Sequence, residues 1–288
     1  MVQAKIGVQS MMLKDKFQEL GPYETLKKVS ELGYNAIEIS QIPMTPENVA
    51  EIKRAKEDFG LDIAALSCQL KREPNQSGGN DALDTDFDKI VADCKELDVD
   101  LVRVGMLPFE NMKNKETALE FCRELNEYAV RMKEHGIKVY YHNHHVEFRR
   151  YDGKFLLDII AEECPEIGFE LDVHWIQRAG ANPVDTIRKY KGRVDLIHLK
   201  DYRVGALPED LFEGKKDPVE FYNAFVNIIE FAELGQGSMD FKPIIETCLE
   251  SDVRYLLVEQ DMTYGRDPFD CLADSRDHLI ELGYKHLF

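Results

Sequence analysis

Short apolar, β-rich runs alternate eight times with longer stretches of helical spacing, and few folds accept that rhythm. The first run is Ile6–Gln9, followed by a helical pattern from Tyr23 to Leu32 that Gly33 ends. Ala36–Ile39 precedes Pro46–Phe59, which stops at Gly60; Asp62–Leu66 precedes Asp86–Leu97; Leu101–Val104 precedes Lys115–His135, which stops at Gly136. Ile137–Tyr141 precedes Phe155–Glu163, and Gly168–Leu171 precedes Pro183–Tyr190, with proline at the helix start. Val194–Leu199 is the seventh strand, and Tyr255–Glu259 with Phe269–Leu282 is the eighth pair. Strands that alternate with helices make a parallel sheet covered by helices, and eight strands close it. The expected fold is therefore a single α/β domain spanning residues 1–288, a (β/α)8 TIM barrel. The 288 residues suit this fold, which commonly uses ~250.

The seventh connection breaks the rhythm. Residues from about 201 to 240 form an insertion before a helix at Phe241–Glu250, and Pro218–Ile229 carries a helical pattern of its own. This insertion is a candidate lid or partner surface. The stretch Glu73–Asp84, with Gly78–Gly79, reads as a mobile loop after strand three.

Charge and composition exclude several functions. Lys and Arg number 36 against 54 Asp and Glu, a net charge of −18. Nucleic-acid binding and adhesion to anionic membranes both need a basic surplus, so neither is expected. No apolar run is long enough for a transmembrane helix, and MVQAKIGVQSMMLKDK lacks the order of a signal peptide. The six cysteines are spread evenly without a C-x-x-C pair, as idle thiols of a cytoplasmic protein would be.

In a barrel of this kind chemistry sits where the strands end. Strand five ends in His142, Asn143, His144, His145 and Glu147; strand six in Glu170, Asp172 and His174; strand seven in His198, Lys200 and Asp201; strand eight in Glu259 and Asp261. Four consecutive strands thus present acids or imidazoles at one face. Strand alternation places Glu170, Asp172 and His174 together, His198 with Lys200, and Glu259 with Asp261. Clustered carboxylates cannot all stay ionised without a cation, and a divalent metal resolves the conflict. An oxygen-rich set with imidazole suits Mn2+ first, with Mg2+, Co2+ or Zn2+ as alternatives.

These residues resemble the xylose isomerase-like barrels, the sugar isomerases and epimerases, over essentially the whole chain. The carriers are HNHHVEF (142–148), ELDVHW (170–175), IHLKD (197–201), ELGQGSMDF (233–241) and LLVEQD (256–261). In that family Glu, Asp, His and Glu from strands five to eight hold a metal. The resemblance carries the last three onto Asp172, His198 and Glu259. Strand five here ends in His142 where many relatives have glutamate. Glu147 is the preferred first ligand because it preserves ligand charge, with His142 as the alternative.

The resemblance implies a metal-stabilised enediolate formed from a keto-sugar or inosose, leading to isomerisation or epimerisation. If a β-substituent leaves instead, the outcome is elimination. By position, His142 or His144 moves protons, with Glu147 and Glu259 as metal-bound carboxylates that also serve. His174 and Lys200 are expected to bind substrate oxygens, and Glu38 and Arg103 share the inward face of strands two and four. For that pair, ion pairing within the barrel is as good a reading as substrate contact. Trp175 and Phe148 would wall a sugar ring. Gly235 and Gly237 precede a helix and suggest an anion nest, although the surrounding residues favour an uncharged sugar or glycoside. The HNH subgroup also resembles the larger subunit of C-glycoside deglycosidases, in IGVQ, HNH and EQD, which cleave 3-oxo-glycosides with a small β-rich partner chain. The assembly is therefore expected to be a homo-oligomer or such a hetero-oligomer. An apurinic-site endonuclease on the same barrel needs three zinc ions and early histidines, and no histidine precedes His135 here.

Overall fold

A computed structural model describes residues 4–72, 80–213 and 217–288. The expected loop at Gly78–Gly79 lies outside these residues. Eight parallel strands close into a barrel: β1 (Lys5–Gln9), β2 (Ala36–Ile39), β3 (Asp62–Cys68), β4 (Leu101–Val104), β5 (Lys138–His142), β6 (Gly168–Asp172), β7 (Val194–Leu199) and β8 (Tyr255–Val258). Each strand pairs with its neighbours in sequence, and β1 closes the ring by pairing in parallel with β8. The α/β barrel expected from the rhythm is the observed fold.

Most of the outer helices begin and end where local chemistry dictates. Thr45 caps Pro46–Phe59 and Asn114 caps Lys115–Lys133 through a capping box, while Gly60 ends the former in the left-handed region. The first helix differs from expectation. It runs from Lys14 to Glu31 and bends at Gly21, whose φ of 81° and following proline interrupt the helical ladder.

Two apolar layers hold the barrel. The larger lies between strands and helices, and a smaller one fills the barrel floor with Ala36, Ala65, Leu101, Tyr140, Leu196, Tyr255 and Leu257. Two residues further along the same inward faces, one pleat repeat of ~7 Å, the interior becomes polar. Glu38, Ser67, Arg103, His142, His198 and Glu259 follow Ala36, Ala65, Leu101, Tyr140, Leu196 and Leu257 in register. The floor thus sets the height at which charged groups enter.

Beyond β7 the insertion folds as an antiparallel ribbon, Asp201–Val204 against Ile229–Ala232, with a helix at Pro218–Val226. That helix is three residues shorter than its pattern, because the chain turns into the ribbon. The glycine nest is present, and its anion is internal. Asp201 accepts the backbone N–H groups of Tyr202, Gly235, Gly237 and Met239 at 2.8–3.1 Å. A Cβ on Gly237 would lie 2.2 Å from Asp201 Oδ1. Among the described residues no helix is long and apolar enough to cross a membrane, and all six cysteines are free and buried.

Gly7 lets β1 approach the β2 backbone closely. A Cβ there would sit 2.5 Å from the Ala36 carbonyl oxygen. Overpacking of this kind costs roughly 1–3 kcal/mol. Gly7→Ala is expected to lower the unfolding free energy by about that amount in denaturant titration. Unchanged stability would contradict the tight β1–β2 contact.

Candidate metal centre

The ends of β5 to β8 bring His142, Asp172, His198 and Glu259 together, all buried, with one potential ligand atom from each lying within 4.8 Å of the others. Each owes its direction to a specific partner. His142 Nδ1 lies 3.1 Å from the Gly105 carbonyl, which can only accept, so Nδ1 carries the proton and Nε2 is left with its lone pair. Asp172 Oδ1 caps the short helix Val173–Arg178 by accepting the Trp175 N–H at 3.0 Å, leaving Oδ2. The Asn143 side chain pins the backbone there by accepting the Asp172 N–H. Glu259 extends the β8 ladder by donating its N–H to Leu199.

The atoms left over are the telling ones. His142 Nε2, Asp172 Oδ2, His198 Nδ1 and Glu259 Oε2 are all buried without a hydrogen-bond partner of acceptable geometry. They are one atom from each residue of the cluster. Buried polar atoms without a hydrogen bond are rare and costly, and although Lys200 lies beside the two oxygens, four converging ligand atoms suit the donor set of a divalent cation. The charge balance agrees. Glu38, Glu170, Asp172 and Glu259 are buried acids around His198, against the buried cations Arg103 and Lys200. Four buried acids against two cations leave the cluster short of positive charge. Titration directions show the same shortfall. Burial and the Glu38 carboxylate raise Glu170, and although burial opposes it, the surrounding acids raise His198 well above its usual value.

Lys200 Nζ reaches Glu259 at 2.7 Å, Asp261 at 2.8 Å and Asp172 at 3.0 Å. Burial works against its charge, yet these acids hold it firmly protonated. Burial and Glu259 raise Asp261 to about 6, with Lys200 opposing. Burial lowers His142 and His174 to about 4 each, and it lowers His144 well below the usual value, so all three imidazoles are neutral near pH 7.

Other expected residues fall elsewhere. The structure brings His142, not Glu147, to the cluster. The turn Val146–Phe148 swings Glu147 back, so that Oε1 accepts from Tyr141 Oη at 2.5 Å and Oε2 from the His144 N–H at 2.7 Å. Glu38 and Arg103 are buried and joined to each other and to Glu170, although Arg103 also borders the cleft. His174 does not continue the β6 alternation, because the chain has already entered the helix capped by Asp172. Its ring stands edge-on to Trp175 and Tyr202 at 4.7 and 4.9 Å, and both ring nitrogens are buried and unpartnered. Trp175 packs on the rings of His144 and His145, whereas Phe148 packs on Phe155.

Two contributors escaped the sequence reading. Phe231, from the insertion ribbon, completes an aromatic wall with His174 and Trp175. Gln9, at the end of β1, lines the cleft with an unpartnered Nε2. The rule that singled out charged strand ends passed over it because it is neutral. The cleft itself, about 270 Å3, opens over β1–β5 and meets His142, His144, Lys200 and Glu259.

A closed α/β barrel with acids and histidines gathered at the carboxyl ends of its strands is the class that fold and site define. This chain belongs to the xylose isomerase-like TIM barrel family, whose profile matches residues 26–281. It is 24% identical over 295 residues to an inosose dehydratase from Clostridium tetani, covering 97% of both chains. Among solved structures it is similar to a sugar phosphate isomerase/epimerase from Parabacteroides distasonis, with a TM-score of 0.71, 22% identity and coverage of 96% and 98%. A 3-keto-D-glucoside 4-epimerase from E. coli shares the fold at a TM-score of 0.61 and 16% identity, with coverage of 96% and 99%.

Burial lifts the Glu147 carboxyl from 4.5 to about 7, with its two hydrogen bonds opposing. An acid with a raised folded pKa binds more protons when folded. Its stabilisation is complete below the unfolded pKa and is lost as pH rises through about 7. The loss across that window is roughly 3 kcal/mol. Glu147→Gln is therefore expected to flatten the decline in stability between mildly acidic and neutral pH in denaturant titrations. Parallel curves for the two proteins would show that Glu147 does not titrate there.

Proposed function

We propose that this chain is a divalent-metal-dependent enzyme that removes the proton beside the carbonyl of an uncharged keto-sugar or inosose. The observation that carries this reading is the convergence of four buried ligand atoms, one each from His142, Asp172, His198 and Glu259, that make no well-formed hydrogen bond. Two imidazoles and two carboxylates accept Mn2+, and also Zn2+ or Co2+. When bound, such an ion polarises a carbonyl and acidifies the neighbouring C–H.

The protein's own groups divide the remaining work. His144, neutral and with Nδ1 unpartnered at the cleft, is placed to take the proton. Lys200 presents a fixed positive charge beside the cluster, where negative charge develops on the substrate oxygen. Gln9 offers a donor to a hydroxyl. The aromatic wall of His174, Trp175 and Phe231 excludes water on the β6–β7 side. Return of the proton to another position gives isomerisation or epimerisation. In elimination, the C–H electrons form a C=C bond, the β C–O bond breaks, and the hydroxyl leaves as water with a proton from an acid such as Asp261. The full-length likeness to an inosose dehydratase favours elimination.

An uncharged substrate is favoured by two features. The nest after β7, where barrels of this kind often bind phosphate, is filled by Asp201. Among the described residues, the lysines and arginine lining the cleft are all paired: Arg103 with Glu170, Lys200 with three acids, and Lys71 with Glu124.

A second reading, cleavage of a 3-oxo-glycoside with a small partner chain, is favoured by one observation. The helix Pro218–Val226 leaves Val219, Tyr222, Phe225 and Val226 exposed.

Asp172→Asn and Glu259→Gln are each expected to abolish stoichiometric metal and all turnover while leaving the circular dichroism unchanged. Elemental analysis and a screen of ketoses, inososes and 3-oxo-glycosides check this. Unaltered metal content in both variants would overturn the assignment. The wild-type enzyme should also exchange the substrate's α-hydrogen with D2O, and inorganic phosphate at millimolar level should not inhibit it. Strong phosphate competition would contradict the uncharged-substrate reading. Turnover appearing only after a small co-purifying chain is added would favour the second reading.

A further inference from the structure

The His198 ring stands between two sets of buried acids. Its Nδ1 faces Glu259 Oε2 at 2.8 Å and Asp172 Oδ2 at 3.9 Å. Its Nε2 lies 3.1 Å from both Glu38 Oε2 and Glu170 Oε1, at the opposite edge. Arg103 locks this far side. Its Nε donates to Glu170 Oε2 at 2.6 Å and lies 3.5 Å from Glu38 Oε1, while its Nη1 reaches Ser67 Oγ at 3.2 Å. Ser67 in turn donates to Glu38 Oε1 at 3.1 Å.

Glu38, Glu170 and His198 have ligand atoms close enough to hold a cation themselves. The Arg103 guanidinium already supplies a positive charge there, from a side chain that is itself buried. A second ion would have to compete with that guanidinium for the same carboxylates.

We propose that Glu38, Glu170 and Arg103 are positioning residues that act through His198: they hold its proton on Nε2 and aim the Nδ1 lone pair at Asp172 and Glu259. The proposal rests on the metal reading above. A neutral imidazole carries one donor and one acceptor, so its proton goes to the edge with the better acceptors. Here the two edges compete, because Glu259 would also accept a proton from Nδ1. Glu38 Oε2 is the hydrogen-bond acceptor on the Nε2 edge, Glu170 Oε1 lies equally near, and Arg103 keeps at least one of the two ionised, which decides the contest. Without them the proton moves to Nδ1 and blocks the ligand atom. His142 solves the same problem with a single backbone carbonyl. Carboxylates that orient a ligating histidine this way are general to metal sites, and their loss weakens binding roughly 10–100-fold.

The test uses the full-length chain and Zn2+, with affinity measured by competition calorimetry and the His198 tautomer by 15N NMR of the metal-free and loaded protein. Wild type should bind one equivalent in the Nε2–H form. Glu38→Gln and Glu170→Gln should each bind roughly 10-fold more weakly or worse, and the double variant weaker still. Read at alkaline pH, where the metal-free ring has lost its second proton, the remaining proton in the variants should shift toward Nδ1, which a merely structural role would not produce. Glu170→Asp, which keeps the acceptor, should recover part of the affinity. Should the glutamine variants fail to fold, Arg103→Lys reads the same effect as a smaller loss of affinity with the same shift in tautomer. Wild-type affinity and tautomer in the folded variants would overturn the proposal. Absence of Zn2+ binding by the wild-type chain would instead overturn the metal reading itself, a distinguishable result.

Discussion

The mouth of this barrel is governed by uncompensated buried charge. Acids on β2, β6 and β8 meet inside a closed sheet, where an isolated carboxylate is strongly disfavoured. Arg103 matches part of that charge on the β2–β4 side, and Lys200 matches part on the β6–β8 side. What is left falls around His198, the ring in contact with both groups. The structure can be described as a device for delivering that imbalance to one place and keeping it there.

The delivery follows from strand geometry. Each inward-facing side chain on the floor is apolar, and the next inward position on the same strand is polar in at least six of the eight strands. The floor fixes the height of the charged layer, and the strand pairing fixes its rotation around the barrel. Gly168 shows how tight the fit is. A Cβ there would lie 2.2 Å from the Tyr140 ring, whose hydroxyl bonds Asp195 on β7. The loops then add what the strands cannot reach. Asp201 gathers four backbone N–H groups and holds the insertion against the rim, and Phe231 arrives on that insertion.

Much of this was legible in the sequence, because it depends on periodicity. The βα rhythm located all eight strands within a residue or two, alternation placed His198 with Lys200, and the family resemblance then singled out Asp172, His198 and Glu259. Legibility ends where the backbone leaves the strand. His174 shares the parity of Asp172 only on paper, since the helix begins between them. Glu147 lies five residues beyond His142 and is turned away by a 3-10 turn whose direction no periodicity encodes. The glycine nest was recognisable, but its occupant lies 34 residues upstream of Gly235 and becomes visible only when the ribbon folds. Glu38 and Arg103 were found as inward residues, yet their partner Glu170 depends on distances across the barrel.

The central claim is that His142, Asp172, His198 and Glu259 share one divalent ion. Anomalous diffraction from crystals grown with Mn2+ addresses it directly. The account predicts a single peak within coordination distance of His142 Nε2, Asp172 Oδ2, His198 Nδ1 and Glu259 Oε2, with Glu147 still bonded to Tyr141. A peak ligated by Glu147 in place of His142, or none at the mouth of the barrel, would contradict it.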